Sequence, residues 1–514
     1  MISLRKLKNA IRQGLAILKR EKTLLEGVLY ASCNRRVIGR LVYTHHIPCQ
    51  GLLEPKSDED LGVSIQGYFR QNGKGVVGFG HVENDVSPSA IKRALDRAKA
   101  NAIYDPDFHG FPEKPAEEVQ RSKNPPDRSL FKMAPGEEAK MLAEVGFKTL
   151  EGALEAFTKF HKQLRSKDPN FIVSGDNFFI TERMALGNTK GVRASEENSI
   201  VLSFVSAMVE KGESKGRGWE ARRDLGEFNP ARVGKEAAAS AVAGVGGILI
   251  PTSNYTVVLG PQAAMEIFSN LLLSSFSAAS LDFRVSLFNG KLGARIASPL
   301  LTIYDDATYP DSAGSKKFSD EGYPTAKIPL IEDGRFTGIL MNDYYRKKLL
   351  KEKESALREK VGPRAREYLA KNLPRSGFRF SRGGGRIAAA EPGISATNLF
   401  ITSSSPLPRK QLLQKVKNGV YIGALWYTYP IAGYVAGEIT GTAVADTFRI
   451  KNGRMEKPIK VNSLRIHANL RDIVKNIIGI SKENRPTILW ASDEIAYAPE
   501  VAIKNVKLEA IQTD

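Results

Sequence analysis

The sequence predicts an α+β protein: an N-terminal α/β sandwich-like module, a central helix-plus-meander segment, and a C-terminal, mainly antiparallel β domain with a few helices. Three observations carry this. Strand-like runs fill residues 27–81 and end in a capped helix at Ser87-Pro88; a proline-rich polar stretch follows at 105–135; and from 253 onward strands dominate in a long series. At 514 residues the chain exceeds one compact core. The boundaries these observations set are a domain at 1–104, a linker at 105–135, a central domain at 136–252 and a C-terminal domain at 253–514.

The first element, MISLRKLKNAIRQGLAILKREKTLLEGV, is basic and amphipathic, without the apolar centre or cleavage site of a leader. GVLYAS, RRVIGRLVYTHH, GVSIQGYFRQ and KGVVGFGHV read as strands. In SPSAIKRALDRAKANAIY a serine cap and first-turn proline open a helix with one apolar face. The central segment predicts two helices, GEEAKMLAEVGF and TLEGALEAFTKFHKQL. A meander follows, reversing at Ser174-Gly175 and at Asn188 to Gly191, and NPARVGKEAAASAVAGV is its covering helix. Beyond 253, LLTIYDD, KIPLIEDGRFTGIL, TNLFIT, GVYIGALWYTYP and VAIKNVKLEA are among the strands, with helices at 261–279, 407–417 and 469–479.

The net charge is +19, and most of the excess is spread along the chain. Residues 346–386 are the exception, with fourteen Lys or Arg against four Glu. They read as an exposed helical excursion, or as a surface for an acidic partner such as nucleic acid or an anionic membrane. No segment has the length of a membrane span, AAASAVAGVGGILI being short and glycine-interrupted, so a cytoplasmic location is expected.

Reactive groups are sparse. Cys33 and Cys49 define no disulfide framework. With His45 and His46 they make a C-x11-H-H-x2-C pattern that fits no zinc motif, since adjacent strand residues point to opposite faces. Only His467 lies in the C-terminal half, where no serine stands in a nucleophile-elbow context. GVGG at 244 and GGG at 383 lack the partners of a phosphate loop. Asp305, Asp306, Asp320 and Glu321 form an acidic group with oxygens for a hard cation, at a spacing better suited to turns.

The order of segments resembles the TldD and PmbA (TldE) metallopeptidase proteins over nearly the whole chain. The likeness is carried by GVSIQGYFRQNGKGVVGFG and the helix after it, ALGNTKGV, NYTVVLGP, ASPLLTIYDD with FSDEGYPTAKIPLIEDGRFTGIL, ATNLFI, and FRIKNGRMEKPIKVNSLRI. The resemblance implies that in the TldD branch the helix after VVLGP carries HExxxH, with a further cysteine ligand near the C-terminus. Here those helix positions are Ser269, Asn270 and Ser274, Glu266 lies a turn earlier, and NRPTILWASDEIAYAPEVAIKNVKLEA holds no cysteine. PQAAMEIFSNLL looks instead like the PmbA branch.

What the resemblance implies is a chain with no catalytic residue, cofactor or zinc of its own. It would pair with a TldD-like catalytic subunit that holds the zinc, and the complex would act on unfolded peptides gripped at strand edges. Two other readings stay open. One is a stand-alone binding protein, homodimeric, that uses 346–386; the other is a peptidase with a different metal site. The basic excursion and the stretch GEITGTAVADTF depart from the family pattern.

Overall fold

A computed structural model describes residues 2–45, 56–115, 126–164, 170–381, 385–489, 492 and 494–511. Helix α1 (Leu4–Leu18) opens on Ser3, whose hydroxyl caps the Lys6 N–H. Strands β1 (Leu24–Thr44), β2 (Lys56–Gln71) and β3 (Lys74–Glu83) follow, then α2 (Pro88–Ala100), α3 (Pro135–Leu164), β4 (Phe171–Asn188), β5 (Arg193–Val209), β6 (Ser214–Arg222) and α4 (Pro230–Ala243).

These six strands form one sheet in the order β3-β2-β1-β4-β5-β6. The segments read as separate N-terminal and central domains therefore share a single layer. The reason is the length of β1, which pairs with β4 without a break from Val28↔Asn188 to Thr44↔Ile172. The two central helices are one helix, α3. Asn188 to Gly191 reverses the chain: the Asn188 side chain accepts from the Lys190 and Val192 N–H groups, and Gly191 takes a positive φ. No reversal occurs at Ser174-Gly175. A Cβ on Gly175 would lie 2.3 Å from the Phe204 carbonyl oxygen, so that glycine serves close strand approach.

The period of two in β1 sorts its side chains. Leu29, Cys33, Val37 and Leu41 lie in the clusters under the helices. Tyr30, Ser32 and Asn34 are buried on the opposite face, where Ser32 accepts from the Ala388 N–H and Asn34 donates to the Arg386 carbonyl. The sheet is thus sandwiched between helices and the C-terminal domain.

That domain begins with β7 (Ser253–Leu259) and a helical stretch at 261–276. Then come α6 (Ala278–Asp282), β8 (Thr302–Asp306), β9 (Lys327–Glu332), β10 (Arg335–Phe336), α7 (Asp343–Lys351), α8 (Glu354–Lys360) and α9 (Ala365–Lys371). The short strands β11 (Gly377–Phe378), β12 (Phe380–Ser381), β13 (Gly385–Arg386) and β14 (Gly393–Ile394) precede β15 (Asn398–Thr402), α10 (Arg409–Val416), β16 (Gly419–Pro430) and β17 (Glu438–Lys451). β18 (Arg454–Pro458), β19 (Leu464–Asn469), α11 (Leu470–Lys475), β20 (Ile477–Thr487) and β21 (Ile495–Ala510) complete it.

Pairings β21-β19-β17-β16-β7, with β7 returning to β21, close a five-strand ring, and β15, β8, β9 and β10 extend it to one side. All ladders in the ring are antiparallel except β7–β16, a parallel pair like β15–β21 alongside. The outcome is mixed α and β, with the C-terminal half mostly β. Among the described residues no helix is long and apolar enough to cross a membrane.

Residues 346–386 are not a solvated excursion. Leu349, Leu357, Val361 and Leu369 from α7 to α9 are fully buried in the main C-terminal core. Most of the charges are turned to internal work: Arg346 donates to three carbonyls, Lys347 pairs with Asp343, Lys348 with Asp107 and Asp282, and Lys360 with Asp282. Arg379 and Arg386 are buried outright. Charge content exposed neither the apolar spacing nor the carboxylates waiting elsewhere in the chain.

Candidate functional site

The helical stretch after β7 is not the regular helix expected over 261–279. After α5 (Pro261–Met265) the hydrogen bonding widens to a π-helix at Glu266–Leu272 and tightens to a 3₁₀ turn at Leu273–Phe276. In an α-helix, positions five apart diverge by roughly 140°, whereas i→i+5 bonding brings them toward one face. Ser269 and Ser274 have that spacing. Ser269 lies in the π segment and Ser274 in the 3₁₀ turn after it, a change of winding that the regular-helix reading missed.

Apolar residues of this stretch, among them Met265, Phe268 and Leu272, are buried in the core, and its polar residues form a second face. Glu266 is buried and accepts from the Thr428 hydroxyl at 2.5 Å, the Asn270 amide at 3.2 Å and the Gln262 amide at 3.3 Å. Burial pushes its carboxyl above the usual range, against those three donors and the Arg217 guanidinium. Gln262 also accepts from the Leu425 N–H at 3.1 Å, which ties the helix to β16.

The three positions that the resemblance assigns to a zinc motif all take part in side-chain hydrogen bonding. Ser269 donates to Glu494 at 2.6 Å, Asn270 donates to Glu266 and Thr428, and Ser274 donates to the Leu271 carbonyl at 3.3 Å. Two alcohols and a carboxamide offer no imidazole or thiolate, so this donor set does not fit zinc. Among the described residues no group of three or more His, Cys, Asp or Glu is placed to hold a metal ion.

The four acidic candidates are dispersed. Asp305 on β8 accepts through one oxygen from Thr397 N–H, Thr397 hydroxyl and Asn398 N–H, and burial pushes its carboxyl up to about 7. Asp306 accepts from Thr308, as a turn residue does. Asp320 accepts from the Arg379 N–H and pairs with Arg386, while Glu321 accepts from the Asp343 N–H. Cys33 is buried in β1, its thiol pushed up to about 11 by burial. His45, at the far end of the strand, is roughly 40 Å away at the strand rise. His46 and Cys49 lie outside the described residues, as does part of GGG at 383. His467 bonds Glu509 on the neighbouring strand at 3.2 Å.

Across from the π-helix, β16 and β17 are irregular. Their register shifts after Ala424 and again after Trp426, and Tyr427 and Asp446 adopt φ of 52° and 51°. Asp446 is turned toward the Ser240 hydroxyl of α4, and burial raises its carboxyl to about 6. Arg217 of β6 has its charge near both Glu266 and Asp446. This seam between β6, the π-helix and the β16–β17 pair was not legible as a site, because its residues come from four separated stretches.

Residues 252–510 match the PmbA/TldA metallopeptidase C-terminal domain and residues 146–245 the central domain; the chain belongs to this family. It is 26% identical over 242 residues to a metalloprotease of Methanothermobacter thermautotrophicus, covering 46% of this chain and 44% of that one. It is also 26% identical over 206 residues to a metalloprotease TldD homolog of Haemophilus influenzae, covering 38% and 43%. The matched stretches thus span less than half the length of those relatives. In shape it is similar to the crystal structure of TldE from Thermococcus kodakarensis, with a TM-score of 0.76, 21% identity, and coverage of 99% of this chain and 100% of that one.

Proposed function

We propose that this chain is the metal-free, non-catalytic subunit of a cytoplasmic TldD/TldE-type peptidase, pairing with a TldD-like subunit that holds zinc and acts on unfolded peptides. The observation that carries the reading is the chemistry at 269, 270 and 274, where hydroxyl and amide groups are hydrogen-bonded to the protein's own acceptors. Zinc hydrolysis needs imidazole or thiolate ligands and a base beside the attacking water. Glu266, the acid on this helix, is enclosed by three donors from the protein itself. The likeness in shape to TldE over the full chain supports the same assignment.

The test is to purify the chain alone and together with a TldD-like protein from the same organism, then measure zinc in each and hydrolysis of an unfolded peptide. Zinc in the partner only, and hydrolysis only by the mixture, is the expected result. Stoichiometric zinc in the isolated chain with chelator-sensitive hydrolysis would overturn the assignment.

A further inference from the structure

Arg217 projects from β6 with a largely buried guanidinium, yet it makes no hydrogen bond or ion pair to any described residue, and its Nη1 is buried without a partner. Its contacts are aromatic rings: Phe204 with its centroid at 5.7 Å, and Trp426 at 5.3 Å. Buried arginines are almost always paired, since an unmade charged hydrogen bond costs more than a neutral one. This one opens instead on a groove of about 610 Å³ between the central sheet and the β16–β17 pair, a volume in the range of small-ligand sites.

The charged side chains that line the groove are both cations. Lys215 lines it beside Arg217, and Trp426 and Tyr427 supply flat walls. Glu266 and Asp446 face the guanidinium from the π-helix and β17, but neither forms an ion pair with it. Glu266 is taken up by Thr428, Asn270 and Gln262, Asp446 by Ser240. Burial raises both carboxyls above the usual range, Asp446 to about 6, and neither closes to ion-pair distance of the guanidinium. The left-handed backbone at Tyr427, a bulky residue 73% exposed at the lip, is strain of the kind concentrated at binding sites. Arg223 also lacks partners, but it faces Glu196 and Glu182 and lines none of the described cavities.

We propose that this groove is a carboxylate subsite, in which the Arg217 guanidinium, held between Phe204 and Trp426, takes the free carboxylate of an extended peptide. A planar fork of donors matches a carboxylate bidentately, and ring contacts on its faces keep the plane fixed. The inference rests on the peptide-handling part of the proposed function.

The experiment measures binding of three labelled, unstructured decapeptides of Gly, Ser and Ala to the full chain by fluorescence anisotropy at low salt. One has a free C-terminal carboxylate, one is amidated, and one is amidated with a single internal glutamate. The free acid is expected to bind about tenfold tighter than the plain amide, the worth of one charge-assisted pair. Recovery with the internal glutamate identifies a side-chain carboxylate as an equal ligand, and no recovery restricts the subsite to chain ends. In Arg217→Met the gap between acid and amide closes, and Arg217→Lys keeps part of it. Equal binding of acid and amide to the unmodified chain, a comparison needing no variant, overturns the subsite alone, as does a gap that persists in Arg217→Met. Failure of every peptide to bind overturns it together with the peptide-handling reading, whereas zinc in the isolated chain bears only on the assignment of subunit type.

Discussion

Two arginines sit where the six-stranded sheet meets the C-terminal domain, Arg386 fully buried and Arg217 partly so, and they are treated in opposite ways. Arg386 is fully buried and engaged, with Glu196 at 2.8 Å and Asp320 at 3.3 Å, while its own N–H is accepted by Glu182. Lys316 pairs with the same Glu182, and despite burial these cations hold that carboxyl down at about 2. Arg217 has aromatic rings for neighbours and no described anion in contact. Both arginines carry desolvation penalties, but only Arg386 recovers one within the fold. A buried charge that is answered internally fixes how layers dock; one left unanswered marks where something from outside belongs.

The largest test of this contrast is Arg386→Met. Glu196 and Asp320 would remain buried without their cation, and the expected loss is about 3–5 kcal/mol, read as a lower urea midpoint. If stability were unchanged, the paired cluster would not be what joins sheet and domain. Next is Asp446, on the unpaired side. Its carboxyl is raised to about 6, so the folded state holds its proton more tightly than the unfolded chain. That contribution is fully present below about pH 4 and is lost as pH rises through 6, by up to ~3 kcal/mol. Asp446→Asn, which tolerates the same left-handed backbone, should remove this dependence, and urea midpoints of both proteins between pH 4 and 7 would show whether it does.

A smaller effect is expected at Tyr427, whose side chain is exposed and whose φ is unfavourable for an aromatic residue. Tyr427→Asn should gain about 0.5–1 kcal/mol by relieving that backbone, seen as a raised melting temperature. The smallest is Arg217→Met. With no ion pair to lose, and with relief of its desolvation offsetting the lost ring contacts, stability should stay within about 1 kcal/mol of the parent. A loss comparable to that at Arg386 would mean that Arg217 is answered inside the fold after all.

Much of this was readable from the chain. The alternation in β1, the capped helices and the strand-rich C-terminal half follow from local patterns, and the serines and asparagine at 269, 270 and 274 are visible as letters. The single sheet formed by the first two segments was not, because nothing local says that Val28 will lie opposite Asn188. Nor was the burial of Arg379 and Arg386, since a run of cations looks solvated until its carboxylates are located 59 to 190 residues away.

Residue chemistry alone determined that the helix after β7 offers alcohols and an amide at 269, 270 and 274, because a side chain's donor atoms do not change with its surroundings. Tertiary structure decided which charges are spent and which are open. Arg217 and Arg386 are the same residue in the sequence, and they differ only in which distant groups the pairing of strands brings within hydrogen-bond reach.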